Sequence, residues 1–363
     1  MPSIIYFIAV LSILILVHEF GHFIAAKRLG VRVERFSFGF GPKIVSFKKG
    51  DTEYLISAIP LGGYVKMAGD SPGEELTGQR GEFLSRSISD RFGIIFAGPL
   101  LNYVLAFLIF SVIFMFGSPT LTTDIGGFLK GYPAEKEGLL AGDKIIAVNG
   151  KAVRYWEDMT GIIRETVEGP ARFSVMRNGK IFERDISPVV RRTKDIFGKE
   201  VRIAMIGIAP STRIETVRYG FPQFFYMAFK KLTALTAITY RALWSVMTGR
   251  LSVKESMTGP IGIFIVTSQA VKLGAIYILH LMAILSASLA IFNMLPFPVL
   301  DGGHILFLAI EKIRKRPLST KVQESISNAG VALLILLTVL IFYNDIIKFG
   351  IADKAMKFFI PTR

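Results

Sequence analysis

The stretch "LILVHEFGHFIAAK", residues 14–27, decides how this chain is read. No formally charged residue precedes His18, and the run from Pro2 to Ala26 is long and apolar enough to be a membrane helix. Yet its inner end carries His18, Glu19 and His22. Residues four apart lie on one helix face, so both imidazoles can reach one metal ion. The glutamate beside them can act as a general base toward water. Counting about 1.5 Å per residue from Ser3, His18 lies about 22 Å along the span, still within the hydrocarbon core. Ionisable groups at that depth are costly and are functional by default. The plainer reading, a helix end that has reached the interface, must still place Glu19 eight residues before the first lysine, Lys27.

Composition widens the argument. The 363 residues are 51% hydrophobic, with a mean hydropathy of +0.48, which points to several apolar spans beside a polar part. Further uncharged runs occupy Phe92–Gly117, Leu273–Leu300 and Ser325–Asn344. Each is long enough for a helix to cross about 30 Å of hydrocarbon. The expected fold is therefore a polytopic α-helical membrane protein of about four spans: 1–26, 92–117, 273–303 and 325–347. The first span lacks the basic start and small-residue cleavage site of a signal peptide.

Charge sets the expected orientation. Lys27, Arg28, Arg32 and Arg35 follow the first span, and Lys312, Arg314, Lys315, Arg316 and Lys321 lie in the basic loop 304–324. Basic residues near short loops favour the cytoplasmic side. The N-terminus, the segment 118–272 and the tail 348–363 are then expected outside, and the loop 27–91 and the metal site toward the cytoplasm. A net charge of +15 suits contact with anionic headgroups. The basic residues are scattered and no nucleic-acid motif accompanies them, so nucleic acid is not an expected partner. With no cysteine in the chain, disulfides and thiolate metal sites are excluded.

A hydrolytic zinc site normally takes three protein ligands and leaves a position for water. Two are in hand. The third can come from His280, Asp301 or His304. The stretch "FNMLPFPVLDGGH", residues 292–304, holds Pro296 and Pro298, which an undisturbed helix interior does not accept. Irregular backbone at membrane depth is tolerated inside protein or around a wet cavity. Asp301 follows, with Gly302 and Gly303 permitting close approach. His280 lies too far along its helix to share the depth of His18 and reads as a packing histidine; His304 remains a rival to Asp301.

His18-Glu19-Phe20-Gly21-His22, together with Asn293 through Gly303, resembles the site-2 proteases, a family of intramembrane zinc metalloproteases. The resemblance spans nearly the full chain. It takes in "IPLGGYVKMAGD", residues 59–70, and "AGPLLN", residues 97–102. It is closest to the bacterial branch named for the regulator of sigma-E protease, in a form with one PDZ domain. The resemblance implies Zn2+ held by His18, His22 and Asp301, with Glu19 as base. It also implies that Asn293 holds substrate or the developing oxyanion, and that Asn102, Pro296, Pro298 and Gly302 support the site. It implies a bacterial inner membrane location and transmembrane substrates, either anti-sigma factors or signal-peptide remnants.

Between the first two spans, Phe36, Phe38 and Phe40, then Tyr54 and Ile56 beyond Lys49-Gly50-Asp51, alternate as strands. They predict a hairpin within 27–91, which the resemblance makes a re-entrant β-element able to grip unwound substrate. Segment 118–212 carries short strands at 144–148, 172–177 and 181–185, with Asn178-Gly179 as a hairpin turn. Its "GDKIIAVNG" resembles bacterial PDZ domains, which bind an extended peptide or act as spacers that gate access. Segment 213–272, with Lys230, Lys231 and Arg241 among aromatics, predicts an amphipathic interfacial helix. "TGPIG", residues 258–262, looks like a family motif without assigned chemistry. The competing reading is a PDZ-bearing membrane receptor with a structural metal, but such a site has no use for Glu19. A transporter reading lacks any visible internal repeat.

Overall fold

The computed structural model describes residues 2–70, 77–79, 81–252 and 258–350. The C-terminal tail expected from 348 lies almost wholly outside them. The chain forms two compact units, 1–113 with 225–240 and 253–363, and 114–224 with 241–252.

In the first unit, α1 runs Pro2–Arg28 without an interior proline. β1 (Val33–Lys49) and β2 (Thr52–Met67) follow, and then α2 (Ile88–Phe116). The predicted hairpin is present, with its turn at Gly50 and Asp51. It is more folded than alternation alone implies. Residues 35–38 of β1 pair with 63–66 of β2 on one side and with 53–56 on the other. The bend that permits this falls at Gly39 and Gly41 (φ +93° and +85°) and at Gly62 (φ +139°), conformations that a side chain resists. The segment 63–67 is thereby left on an edge.

The inserted unit contains β3 (Ser118–Leu121), β4 (Ile125–Phe128), α3 (Pro133–Lys136), β5 (Lys144–Val148), β6 (Lys151–Ala152) and α4 (Trp156–Glu165). It continues with β7 (Ala171–Arg177), β8 (Lys180–Ile186), β9 (Val189–Lys194), β10 (Glu200–Met205), β11 (Ile208–Pro210) and β12 (Ile214–Val217). A sheet of order β6-β5-β7-β8 buries Ile145, Val148, Phe173, Val175 and Ile186 against Met159 and Ile163 of α4. Asn178 (φ +50°) and Gly179 (φ +76°) form the predicted tight turn. Asp143 takes a bidentate pair from Arg177 (2.6 and 2.7 Å) and the Leu140 N–H (2.8 Å). Burial pushes the Asp143 carboxyl up, but these partners outweigh it and hold it below the usual carboxylate range. The unit does not end at 212, because β12 pairs with β3 from Ile214↔Leu121 to Val217↔Ser118.

Among the described residues the remaining helices are α5 (Gln223–Met247), α6 (Pro260–Leu273), α7 (Ala275–Asn293), α8 (Asp301–Arg314) and α9 (Thr320–Lys348). Among the described residues four helices are long and apolar enough to cross a membrane, Ser3–Arg28, Ile88–Phe116, Ala275–Asn293 and Thr320–Lys348, matching the expected runs. The span drawn as 273–303 stops at Asn293, where Pro296 and Pro298 prevent the helix from continuing. Among its described residues, segment 213–272 holds the strand β12, the expected amphipathic helix as α5, and a second apolar helix, α6. The amphipathic stripe of α5 packs on α2. Phe225 stacks on Phe107 (6.0 Å), Thr236 meets the Tyr103 hydroxyl (2.8 Å), and Ala228 and Leu232 are buried, with Lys230 and Lys231 on the exposed side.

α6 packs on the start of α1 through Phe264 against Phe7 (5.7 Å) and Ser268 against Ser3 (3.1 Å). Its first turn receives a carboxylate from α9: Asp345, fully buried, accepts the N–H groups of Gly259 (3.1 Å) and Gly262 (3.0 Å). This accounts for the glycines of "TGPIG". A Cβ on Gly259 would lie 2.7 Å from the Asp345 carboxylate, and one on Gly262 would strike Thr258.

Candidate metal centre

The helical spacing of α1 puts His18 and His22 on one face, their Nε2 atoms 3.2 Å apart. Neither ring is placed by α1 alone. The Nδ1 of His22 lies 2.9 Å from the Ile94 carbonyl of α2 and donates to it. That bond leaves Nε2 as the bare lone pair. α2 can come this close because two glycines face each other. A Cβ on Gly21 would lie 2.7 Å from the Ala97 carbonyl carbon, and a Cβ on Gly98 would collide with the His22 ring. The glycine of "AGPLLN" is therefore a space-making residue.

Asp301 arrives by a different route. It is the first residue of α8, after the irregular segment 294–300. α8 folds back onto that segment: a Cβ on Gly302 would meet the Met294 carbonyl carbon at 2.5 Å, and one on Gly303 the Phe297 carbonyl carbon at 2.7 Å. Asp301 Oδ2 then stands 3.1 Å from His18 Nε2, and Oδ1 3.6 Å from His22 Nε2. These three side chains form the one cluster of metal-ligand type among the described residues.

The donor set fits zinc. A tetrahedral ion with bonds of about 2.0–2.1 Å has ligand–ligand edges of about 3.3–3.4 Å. The two imidazole nitrogens, 3.2 Å apart, are close to that separation, and the Asp301 carboxylate reaches both, with Oδ2 3.1 Å from His18 Nε2 and Oδ1 3.6 Å from His22 Nε2. Asp301 Oδ2 makes no hydrogen bond of acceptable geometry despite its burial. Lone pairs facing one another in a buried space are unfavourable unless a cation sits among them.

The centre opens on a cavity of about 490 Å³. Glu19 lines it, as do Asn293, Asp301 and His304. Val65, on the edge segment of β2, turns its backbone N–H toward Glu19, and a Cβ on Gly63 would lie 3.6 Å from the Glu19 side chain. Asn293, the last residue of α7, brings its amide nitrogen to 3.4 Å from His18 Nε2.

Other expected residues fall elsewhere. His280 bonds the Ile276 carbonyl one turn back (3.0 Å) and packs on Phe110, as a packing histidine does. His304 lines the cavity without joining the cluster. Asn102 is fully buried but does not line the cavity; its carbonyl takes the Ser286 hydroxyl (2.7 Å), joining α2 to α7. Pro296 and Pro298 occupy the helix break, and Gly330 of α9 rests on Pro298 and Val299. Sequence reasoning missed Ile94, whose contribution is a backbone carbonyl and leaves no trace in residue type. It also missed Arg91 and Glu311, an arginine in the first turn of an apolar helix and a glutamate late in α8, since neither residue names the other in sequence.

A sequence profile described as peptidase family M50 matches residues 6–337. The zinc metalloprotease RasP of Geobacillus kaustophilus is 30% identical over 430 residues, covering 96% of this chain and 99% of its own. The zinc metalloprotease RasP of Shouchella clausii is 29% identical over 426 residues, with coverage of 96% and 99%. A relative in Clostridium acetobutylicum is 31% identical over 350 residues, 95% of this chain and 97% of its own.

Proposed function

The chain belongs to peptidase family M50, and on that premise we propose that this metalloprotease is an intramembrane zinc endopeptidase, cutting transmembrane segments of other membrane proteins. The observation that carries the reading is the convergence of His18, His22 and Asp301, their ligand atoms all within 4.8 Å of one another, beside Glu19. A metal held only for structure has no use for that glutamate.

Zinc bound there would polarise the scissile carbonyl and make water more acidic. The chain's own groups do the rest. Glu19 takes the proton that water loses as its oxygen attacks the peptide carbon, and returns it to the leaving nitrogen when the C–N bond breaks. Asn293, beside His18, donates its amide hydrogen to the substrate carbonyl oxygen as negative charge builds there. A helical substrate hides its peptide bonds, so it must unwind before it is cut. The edge segment 63–67 of β2 can take the unwound strand by adding it to the sheet, next to Glu19.

The rest of the reading is finer. The chain lies in a bacterial inner membrane, with its N-terminus and the inserted unit outside. The unit is a single PDZ domain of the kind found in the sigma-E regulatory branch. It filters substrates by the bulk of their outer parts, so that stubs left by an earlier protease are admitted. Such stubs include clipped anti-sigma factors and signal-peptide remnants. The zinc expectation is supported by the names of the curated relatives.

One experiment tests the core of this. Glu19→Gln should keep zinc at the wild-type stoichiometry and lose about 10²–10⁴-fold in cleavage of a model transmembrane peptide. Cleavage at the normal rate would show the base assignment to be wrong. Replacing 118–217 by a short Gly/Ser bridge tests the filter. Stub cleavage should persist and full-length substrate should now be cut; continued refusal of the long substrate would remove the filter.

A further inference from the structure

Two of the three metal-ligand side chains are tied to a single turn of α2. His22 is held by the Ile94 carbonyl. Three residues earlier, on the same face, Arg91 reaches α8, the helix that begins with Asp301. Its guanidinium makes a bidentate pair with Glu311, Nη1 to Oε2 at 3.0 Å and Nη2 to Oε1 at 2.5 Å. Both side chains are largely buried, 8% and 17% exposed. The fork-to-carboxylate geometry fixes direction as well as distance.

α8 needs such an anchor. It emerges from the irregular segment 294–300, so no continuous helix carries it into register with α1. Gly302 and Gly303 seat its first turn on the preceding backbone. A rod held only at its first turn can still swing or slide. Glu311 lies ten residues further on, about 15 Å along the helix axis. A second fixed point there makes the position of Asp301 determinate.

We propose that Arg91 and Glu311 are positioning residues for the metal centre. The pair locks α8 to the turn of α2 that orients His22, and so holds Asp301 at coordinating distance from both histidines. This rests on the zinc reading above. A misplacement of about 1 Å far from the chemistry can lower a rate about 10²-fold, and the ligand edges here leave little slack.

The test uses the full chain in detergent. Zinc per chain, the half-time of zinc loss to a chelator, and kcat and KM on a model transmembrane peptide are measured for four variants. Arg91→Gln and Glu311→Gln should each lose zinc at least tenfold faster than wild type. Their kcat should fall about as far, with KM changed less than twofold. The exchanged pair Arg91→Glu with Glu311→Arg should recover zinc retention to within threefold of wild type. It also carries the test if a single variant does not fold. Asp345→Asn loosens another buried carboxylate contact of the same unit without touching α8, and should retain zinc within twofold of wild type. Folded single variants that keep zinc as wild type does would overturn the inference, as would an exchanged pair that recovers nothing. Equal acceleration by Asp345→Asn would overturn it too, since the effect would then be general loosening. A wild-type protein that binds no zinc but folds would overturn the metal reading itself, and this inference with it.

Discussion

The two halves of the metal centre are built by opposite means. His18 and His22 sit on an unbroken helix, where the rise and twist of the backbone alone put them on one face. Asp301 stands where helix has just failed, after seven residues, 294–300, that contain both prolines of the region. The first half starts from local geometry: four residues of separation put both rings on one face, and α2 then orients His22 through the Ile94 carbonyl. The second is tertiary, because the packing of Gly302 and Gly303 on the preceding backbone must deliver one carboxylate over 278 residues of intervening chain, between His22 and Asp301. Local geometry can be read from a motif. Tertiary geometry can be inferred from one only when its packing partners are known.

The contrast can be broken most forcefully at the ligand itself. Asp301→Ala should reduce zinc affinity and cleavage together, and by more than the 10–100-fold typical of removing a partner behind a metal ligand. Zinc bound as tightly as in wild type would mean that the broken half contributes no ligand. Asn293→Ala sits at the join between the halves. Its kcat should drop about 10²–10³-fold while zinc per chain is unchanged, as for loss of an oxyanion donor. A change confined to KM would move Asn293 from chemistry to binding.

Next come the glycines, one from each half. Gly98→Ala drives a methyl into the His22 ring and Gly303→Ala drives one into the Phe297 backbone. Overpacking of this kind costs about 1–3 kcal/mol, so each should slow cleavage roughly 5- to 150-fold. The helix-borne half can yield by shifting a side chain, whereas the broken half must move backbone. Gly303→Ala should therefore be the worse of the two, and the opposite ranking in kcat/KM would reverse the account of which half is rigid.

The smallest effect lies away from the centre. Glu82, in the loop before α2, accepts from the Thr77 hydroxyl and N–H, the Ser85 hydroxyl and the Gly78 N–H. These bonds, with those of Thr77 foremost, lower its carboxyl from 4.5 to about 2. A depressed acid lends stability above its unfolded value and loses it as pH falls through the folded one. The loop should resist pepsin near pH 4.5 and be nicked increasingly as pH drops toward 2. Glu82→Gln should be nicked across the whole range. A wild-type loop still uncut at pH 2 would dissociate its order from this carboxylate.

Much of this was legible beforehand, for physical reasons. Four apolar runs became the four long helices because length and hydropathy leave a membrane segment few alternatives. The turn at Asn178-Gly179 followed from the rarity of residues that accept positive φ. The long helix from Gln223 is amphipathic as expected, but its stripe says only that an apolar partner exists; that Phe225 would stack on Phe107 of α2 was not legible. The strand at Ile214–Val217 was missed because its partner, Ser118–Leu121, lies about a hundred residues away and neither segment alternates clearly. At the centre, residue types announced His18, Glu19 and His22. The Ile94 carbonyl and the Arg91–Glu311 pair went unseen, since a backbone atom has no letter and a lone charge names no partner.

The carboxylate of Asp345 bears on how the protein is made. The N–H groups of Gly259 and Gly262 belong to the opening turn of α6, which has no internal acceptors for them. Their acceptor lies more than eighty residues downstream, on α9. While the ribosome is still adding those residues, the first turn of α6 lacks this acceptor. A chain cut short before Asp345 would keep His18, His22 and Asp301 and still lack the carboxylate that closes the first turn of α6. The order of synthesis thus bears on the order of folding: α6 is completed only after α9 has been made.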